Sequence, residues 1–130
     1  MIGMDSSAII DLFRNDSFLV KILEDMDEEI VLNQMSFYEL MIGLDFDNLI
    51  HKKEENFYDE LFEDYKNLSL DKNSSKKASK ISFELKKDGK IIGDFDCIIA
   101  GIYLTNGVNK IITRNVKHFE RIKGLKVISY

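Results

Sequence analysis

Short apolar runs alternate along this chain with longer segments of helical periodicity, and this alternation is the feature that most limits its fold. Strands that alternate with helices form βαβ units, which give a mainly parallel sheet with helices on both faces. A length of 130 residues suits one hydrophobic core. We therefore expect a single α/β domain over residues 1–130. The predicted strands are 1–4, 30–35, 68–70, 111–113 and 126–130.

The helix-like segments carry start and stop signals. Ser6 or Ser7 can cap the first helix and Asp16 or Ser17 the second, because their side-chain oxygens accept free backbone N–H groups. Gly89 and Gly107 follow the fifth and sixth helices, where a left-handed residue is wanted. The predicted helices are 8–13, 17–26, 37–44, 48–66, 74–87, 94–106 and 116–121.

Charge is divided unevenly along the chain. Residues 1–70 hold five Lys and Arg against seventeen Asp and Glu, a net charge of −12. Residues 71–130 hold thirteen against six, a net charge of +7, so that the total is −5. A basic half suits a polyanion or an acidic partner, and acidic clusters suit metals or a basic partner. A solvated surface without any partner explains the charge equally well.

Cysteine content and hydropathy bear on the expected cellular location of the protein. Cys97 is the only cysteine, so no intrachain disulfide forms, and its apolar surroundings predict a buried, inert thiol. No apolar run is long enough to span a bilayer, and no basic region precedes the first apolar segment. We expect a cytoplasmic protein with no membrane partner.

Four acids and one amide follow predicted strands or open predicted helices. Asp5 follows the first strand, and Asn115 follows the fourth. Asp94 and Asp96 open one helix, and Glu39 lies in the first turn of another. Ligands of parallel sheets bind beyond the carboxyl ends of the strands, so we expect these side chains at one edge.

Most of these residues also have a structural explanation. Asp5 and Asp94 can cap helices, Glu39 follows Ser36 at the capping-box spacing, and Asn115 suits a turn. Converging carboxylates nevertheless repel one another unless a cation neutralises them, and Mg²⁺ and Mn²⁺ prefer oxygen ligands. Such a site can bind a phosphodiester and generate a hydroxide nucleophile.

Zinc is not expected. The two histidines, His51 and His118, lie outside the acidic set and lack the spacing of metal ligands.

Four motifs together resemble the PIN domain family, especially the small VapC-type toxins of toxin–antitoxin pairs. They occur in the family's order and cover nearly the whole chain. The motifs are MDSS at 4–7, SFYEL at 36–40, IGDFDCIIA at 92–100, and IITRNVKHF at 111–119 followed by IKGLKVI at 122–128.

The resemblance implies a Mg²⁺- or Mn²⁺-dependent endoribonuclease, the toxin of such a pair. Asp5, Glu39 and Asp96 match the family's invariant acids, which are both catalytic and metal-binding. Asp94 matches a frequent accessory acid, and Asn115 stands where many members have a fourth Asp. All five are therefore candidate metal ligands.

The resemblance extends to residues around the acids. Ser6 matches a small hydroxyl residue, usually Thr, that orders the site. Arg114 and Lys117 are candidates to bind RNA phosphates, as are Arg121 and Lys123, although a solvated surface explains any one of them equally well.

Two further positions depart from the family pattern. His118 stands where an acid is common, and Gly101 stands where Ala is common.

Partners are implied as well: an RNA substrate, an antitoxin protein and a second copy of the chain in a homodimer. An apolar stripe in the long helix, formed by Phe57, Leu61, Phe62 and Tyr65, is expected to pack in the core. The alternative is a groove for an antitoxin segment or a second protomer.

Our hypothesis for the mechanism assigns one cation to Asp5 and Asp96 and the attacking water to Glu39, with 5′-phosphate and 3′-hydroxyl products. A catalytically silent PIN fold that serves RNA binding or assembly is the alternative function, which the uncharged Asn115 keeps open. A receiver-type signalling domain is disfavoured, because residues 30–36 supply no phospho-accepting Asp.

Overall fold

The computed structural model describes residues 1–130 as a central sheet flanked by helices. The elements in chain order are β1 (Ile2–Met4), α1 (Ser6–Phe13), α2 (Ser17–Glu24), β2 (Ile30–Asn33), α3 (Gln34–Ile42), α4 (Leu49–Asp64), β3 (Lys66–Leu68), α5 (Lys72–Lys87), α6 (Asp94–Thr105), β4 (Lys110–Ile112), α7 (Val116–Phe119) and β5 (Lys126–Ile128).

The five strands form one sheet in the order β3-β2-β1-β4-β5, and every pairing is parallel. The central strand β1 pairs on one side with β2, where Gly3 lies opposite Val31, and on the other with β4, where Gly3 lies opposite Ile111. This confirms the predicted α/β class. Parallel pairing also brings the residues that follow β1, β2 and β4 to one edge of the sheet.

Helices cover both faces of the sheet. One face packs against α5, α6 and α7 through buried residues such as Ile81, Ile99 and Phe119. The other packs against α1 to α4 through residues such as Ile9 and Tyr58. Burial of apolar area on both faces is the main stabilising contribution.

The apolar stripe of α4 belongs mainly to the second core, as its periodicity predicts. Phe57, Leu61 and Phe62 pack partly buried against this core, and the Phe62 ring contacts Phe37 with the centroids 4.9 Å apart. Tyr65 is 43% exposed. The core prediction is therefore confirmed for three of the four residues and wrong for Tyr65.

Close packing between α5 and α6 explains the glycine at position 101. A Cβ added there would lie 2.7 Å from the carbonyl oxygen of Ser74 and 2.9 Å from the backbone nitrogen of Ala78, both on α5. The close approach of α5 to α6 therefore requires Gly101.

Several element boundaries differ from the sequence predictions. Strand β2 ends at residue 33 because α3 starts at once, and β3 comes two residues earlier than predicted. Gly89 and Gly107 have the expected positive φ angles, +66° and +75°. Cys97 is buried, and no helix combines the length and apolar character needed to cross a bilayer.

Candidate active site

Asp5 leaves the centre of the sheet at the carboxyl end of β1 and is only 3% exposed. Its Oδ1 accepts hydrogen bonds from the Ser7 hydroxyl at 2.8 Å and the Ala8 backbone N–H at 3.1 Å. Its Oδ2 accepts one from the Thr113 hydroxyl at 2.7 Å, just beyond β4. Asp5 is thus the N-cap of α1, and the prediction that Ser6 or Ser7 caps this helix was wrong.

Glu39 lies on α3, which the carboxyl end of β2 delivers to the same edge. The N-cap of α3 is Asn33, whose Oδ1 accepts the Ser36 backbone N–H at 2.8 Å. Glu39 therefore lies beyond the first turn, and both the predicted first-turn position and the capping-box explanation were wrong. Its Oε1 accepts a hydrogen bond from the Ser6 hydroxyl at 3.3 Å.

Asp96 lies in the first turn of α6, with its side chain 16% exposed. Its Oδ2 lies 2.8 Å from Nδ1 of His118 and accepts a longer contact of 3.4 Å from Nδ2 of Asn115. The two partners also contact each other, with the nitrogens 2.9 Å apart. The structure thus brings Asn115 to the predicted site, but as a neighbour of Asp96.

Asp5, Glu39 and Asp96 form what we call the carboxylate pocket, because the charge of Asp96 acts on the other two carboxyl groups and the charge of Asp5 acts on Glu39. Burial, together with the charge of Asp96, raises the pKa of Asp5 although three hydrogen bonds oppose the shift. Burial, followed by the charges of Asp96 and Asp5, raises the pKa of Glu39 from 4.5 to about 7. Neither Asp5 nor Glu39 forms an ion pair with a cation of the chain.

Asp94 lies outside this pocket. Two residues apart on a helix, Asp94 and Asp96 point to nearly opposite sides. Asp94 is exposed and lines a groove between α5 and α6, next to Cys97 and Lys86. Gly93, not Asp94, is the N-cap of α6, so the capping prediction for Asp94 was wrong, whereas its role as a metal ligand stays a prediction.

The donors of the pocket fit a hydrated cation. No group of three or more His, Cys, Asp or Glu side chains is arranged to hold a metal ion by itself. Asp5 points its oxygens at Ser7 and Thr113, and Asp96 points one oxygen at His118. Mg²⁺ needs no complete protein cage, since it keeps several waters and takes one or two carboxylates.

Of the predicted phosphate ligands, Arg114 lies beside the carboxylate pocket. Its backbone N–H donates to the Ser7 hydroxyl at 3.1 Å, and Ser7 in turn donates to Asp5. Lys117 is exposed on α7 and forms no ion pair, and Arg121 donates to the backbone of Ile91.

The sequence prediction missed Ser7, Thr113 and the buried residues below the site, and it was wrong to place His118 outside the acidic set, because Nδ1 of His118 lies 2.8 Å from Oδ2 of Asp96. Below the pocket, the buried hydroxyl of Tyr103 donates to the carbonyl of Met4 at 2.5 Å and accepts from Nδ2 of Asn33 at 2.9 Å. Thr113 carried a usable signal, because a hydroxyl directly after the apolar run 111–112 lies at the carboxyl end of a strand.

Comparisons with family models and with known proteins indicate the same family. A family model described as PIN domain matches residues 2–125. The Ribonuclease VapC1 of Methanocaldococcus jannaschii is 33% identical over 128 residues, which cover 95% of this chain and 84% of that protein.

Solved structures with the same fold include toxin–antitoxin assemblies. VapBC2 from Rickettsia felis, bound to a DNA fragment from its promoter, matches with a TM-score of 0.85 at 19% identity, over 100% of this chain and 99% of that one. VapBC-1 from nontypeable Haemophilus influenzae matches with a TM-score of 0.81 at 27% identity, over 99% and 98%.

Proposed function

The chain belongs to the PIN domain family, and from this premise we propose that it is a divalent-metal-dependent endoribonuclease, the toxin of a VapBC-type pair. The observation that carries the proposal is the carboxylate pocket, in which burial and neighbouring acids raise the pKa of Asp5 and of Glu39 while the chain offers these two residues no cation. The ribonuclease name of the relative and the toxin–antitoxin complexes among the structural neighbours support the same function.

Asp5 and Asp96 are the residues that would hold the cation, Mg²⁺ or Mn²⁺, with water as the remaining ligand. When bound, it would offset the repulsion between the carboxylates and stabilise negative charge on the phosphoryl oxygens. Ser7 and Thr113 keep Asp5 in place through hydrogen bonds to its two oxygens. Asn115 and His118 fix one oxygen of Asp96 in the same way.

Glu39 is suited to act as the general base. Its carboxylate can accept a proton from a water molecule, and Ser6 orients its Oε1 through a hydrogen bond. The attacking water gives its proton to Glu39 as its oxygen bonds to phosphorus. The bond from phosphorus to the 3′ oxygen breaks, and this oxygen takes a proton from solvent, leaving a 3′-hydroxyl and a 5′-phosphate.

The decisive experiment is RNA cleavage by the purified protein with Mg²⁺. Wild type should cut the RNA, and Asp96→Asn should not, while circular dichroism shows an unchanged fold. Glu60→Gln is the matched control, because Glu60 is exposed on α4 and forms no ion pair. Equal cleavage by Asp96→Asn would refute the assignment.

An antitoxin and a second copy of the chain are the proposed protein partners. Residues 1–70, which contain α1 to α4, hold seventeen of the 23 acidic residues, which suits a basic antitoxin segment. Strongly exposed apolar residues at the start of α4, Leu49 at 89% and Ile50 at 81%, suit a protein interface. Native mass spectrometry tests the homodimer, and a monomer at micromolar concentration would count against it.

A catalytically silent PIN fold for RNA binding or assembly is the second candidate. The observation that favours it is the absence of a preformed three-ligand group, with a neutral amide at Asn115 beside Asp96. Titration with Mn²⁺ separates the two functions, because a silent module has no need to bind the ion.

A further inference from the structure

A second buried acid of α1, Asp11, is bonded on both oxygens to residues distant in the sequence. It is 6% exposed, and its Oδ1 accepts a hydrogen bond from Nη1 of Arg114 at 3.1 Å. Its Oδ2 accepts one from the Tyr130 hydroxyl at 2.5 Å. We call these three residues the Asp11 cluster. Both carboxylate oxygens have directional partners, so the side chain of Asp11 is fixed.

Arg114 connects this cluster to the carboxylate pocket. Its backbone is linked through the Ser7 hydroxyl to Asp5, while its side chain is 55% exposed. Guanidinium carries five N–H donors, and within the protein only Nη1 of Arg114 takes part in a side-chain hydrogen bond. The other donors have no hydrogen-bond partner within the protein, and more than half of the side chain is exposed, so they are available to a ligand.

The ion pair with Asp11 gives the guanidinium of Arg114 a partner outside the carboxylate pocket. A free guanidinium next to Asp5 and Glu39 would be attracted into the acids, where it would take the place of a cation. Asp11 offers Arg114 a competing carboxylate outside the pocket. Burial raises the pKa of Tyr130, so that its hydroxyl keeps the proton that it donates to Asp11.

We propose that Asp11 and Tyr130 are positioning residues, which hold the guanidinium of Arg114 beside the carboxylate pocket to bind a phosphate of the RNA. The inference rests on the proposed function, since it assigns a role in binding the same substrate. A planar guanidinium held in one orientation binds phosphate in a bidentate manner and loses little conformational freedom when it does so.

The inference predicts a specific pattern of effects. Arg114→Ala should raise the Kd for RNA roughly three- to tenfold. It should also make the slope of log K (the association constant) against log salt less negative by about 0.7, the value for one phosphate contact to a single strand. Asp11→Asn should have an effect in the same direction, because the amide no longer holds the guanidinium by charge. In steady-state cleavage, KM should rise while kcat changes little.

The experiment is a double-mutant cycle on the full chain. The probe is a fluorescein-labelled RNA oligonucleotide of mixed sequence, with Ca²⁺ in place of Mg²⁺ to suppress turnover, and binding is followed by anisotropy at several salt concentrations. The four proteins are wild type, Asp11→Asn, Arg114→Ala and the double variant. If Asp11 acts through Arg114, the double variant should bind RNA no more weakly than Arg114→Ala.

Two results would overturn the positioning role. One is additive losses in the cycle, and the other is wild-type RNA affinity in an Arg114→Ala protein whose circular dichroism spectrum shows an unchanged fold. Tyr130→Phe gives a second test if Asp11→Asn does not fold, and it should weaken RNA binding less than Arg114→Ala.

The outcome also separates this inference from the proposed function. A wild-type protein that cuts RNA, with Asp11→Asn unaltered in RNA affinity and KM, refutes the positioning role and leaves the nuclease. A wild-type protein that shows the predicted cycle but cuts no RNA supports the positioning role and refutes the nuclease. A wild-type protein that does not bind the RNA refutes both.

Discussion

Helix α1 is capped by one buried acid, Asp5, and contains another, Asp11. The two acids differ in the partners of their carboxylate oxygens. Asp11 has the guanidinium of Arg114 and the hydroxyl of Tyr130 on its two oxygens. Asp5 accepts hydrogen bonds only from uncharged donors. The charge of Asp96 helps to raise the pKa of Asp5, and the charge of Asp5 helps to raise the pKa of Glu39.

The comparison separates a buried carboxylate with a cationic partner from a group of acids that can bind an added cation. A buried carboxylate that pairs with a cationic side chain of the same chain has its charge compensated within the folded structure. A group of acids without such a cation is costly in the folded protein, and an exogenous divalent ion would relieve the cost. The carboxylate pocket is of the second kind and the Asp11 cluster is of the first.

The largest expected effect is on catalysis at the pocket. Glu39→Gln should lower kcat by roughly 10²- to 10⁴-fold, because the amide cannot accept the proton of the attacking water. Cleavage of RNA under single-turnover conditions measures this loss, and Glu60→Gln provides the control. A kcat within about threefold of wild type would remove Glu39 from the mechanism.

The Asp11 cluster should respond in stability. Asp11→Asn should lower the free energy of unfolding by roughly 1–3 kcal/mol, because it weakens two partly buried hydrogen bonds to a charged group. Urea unfolding measures the change. Affinity for Mn²⁺ should be unaltered, and a parallel loss of metal affinity would show that the two clusters are not separate.

The sequence predicted most of the fold, because alternation of strand and helix patterns is local information. All five strands and seven helices appear, and Asp5 follows from the end of β1. The caps were harder, since Asn33 and Ser36 can both cap α3 and only the folded chain decides. Tyr130 and Arg114 lie 119 and 103 residues from Asp11, so no local pattern could reveal that cluster.

The pH dependence of stability should distinguish the pocket in metal-free protein. Burial and the neighbouring acids raise the pKa of Glu39 from 4.5 to about 7, so the folded state binds this proton more tightly than the unfolded state. The contribution is fully present below pH 4.5 and is lost as the pH rises through about 7. Thermal unfolding in EDTA should give a lower Tm at about pH 8 than at about pH 5.

The matched variants sharpen that result. Glu39→Gln should flatten the decline of Tm with pH, whereas Glu60→Gln should keep it. A decline of the same size in Glu39→Gln would assign it to other groups.

The smallest effect is expected at Asp94, where the resemblance and the structure disagree. The resemblance makes it an accessory acid, but its side chain lines the α5–α6 groove. Asp94→Asn should therefore change cleavage by less than about threefold. A loss comparable to that of Asp96→Asn would favour the family pattern over the observed orientation.

Binding of Mn²⁺, measured by isothermal titration calorimetry at neutral pH, tests the central claim most directly. Wild type and Asp11→Asn should bind the ion with similar affinity, and Asp96→Asn should lose at least about tenfold. If wild type binds no Mn²⁺, or if Asp96→Asn binds it as tightly as wild type does, the carboxylate pocket is not a cation site.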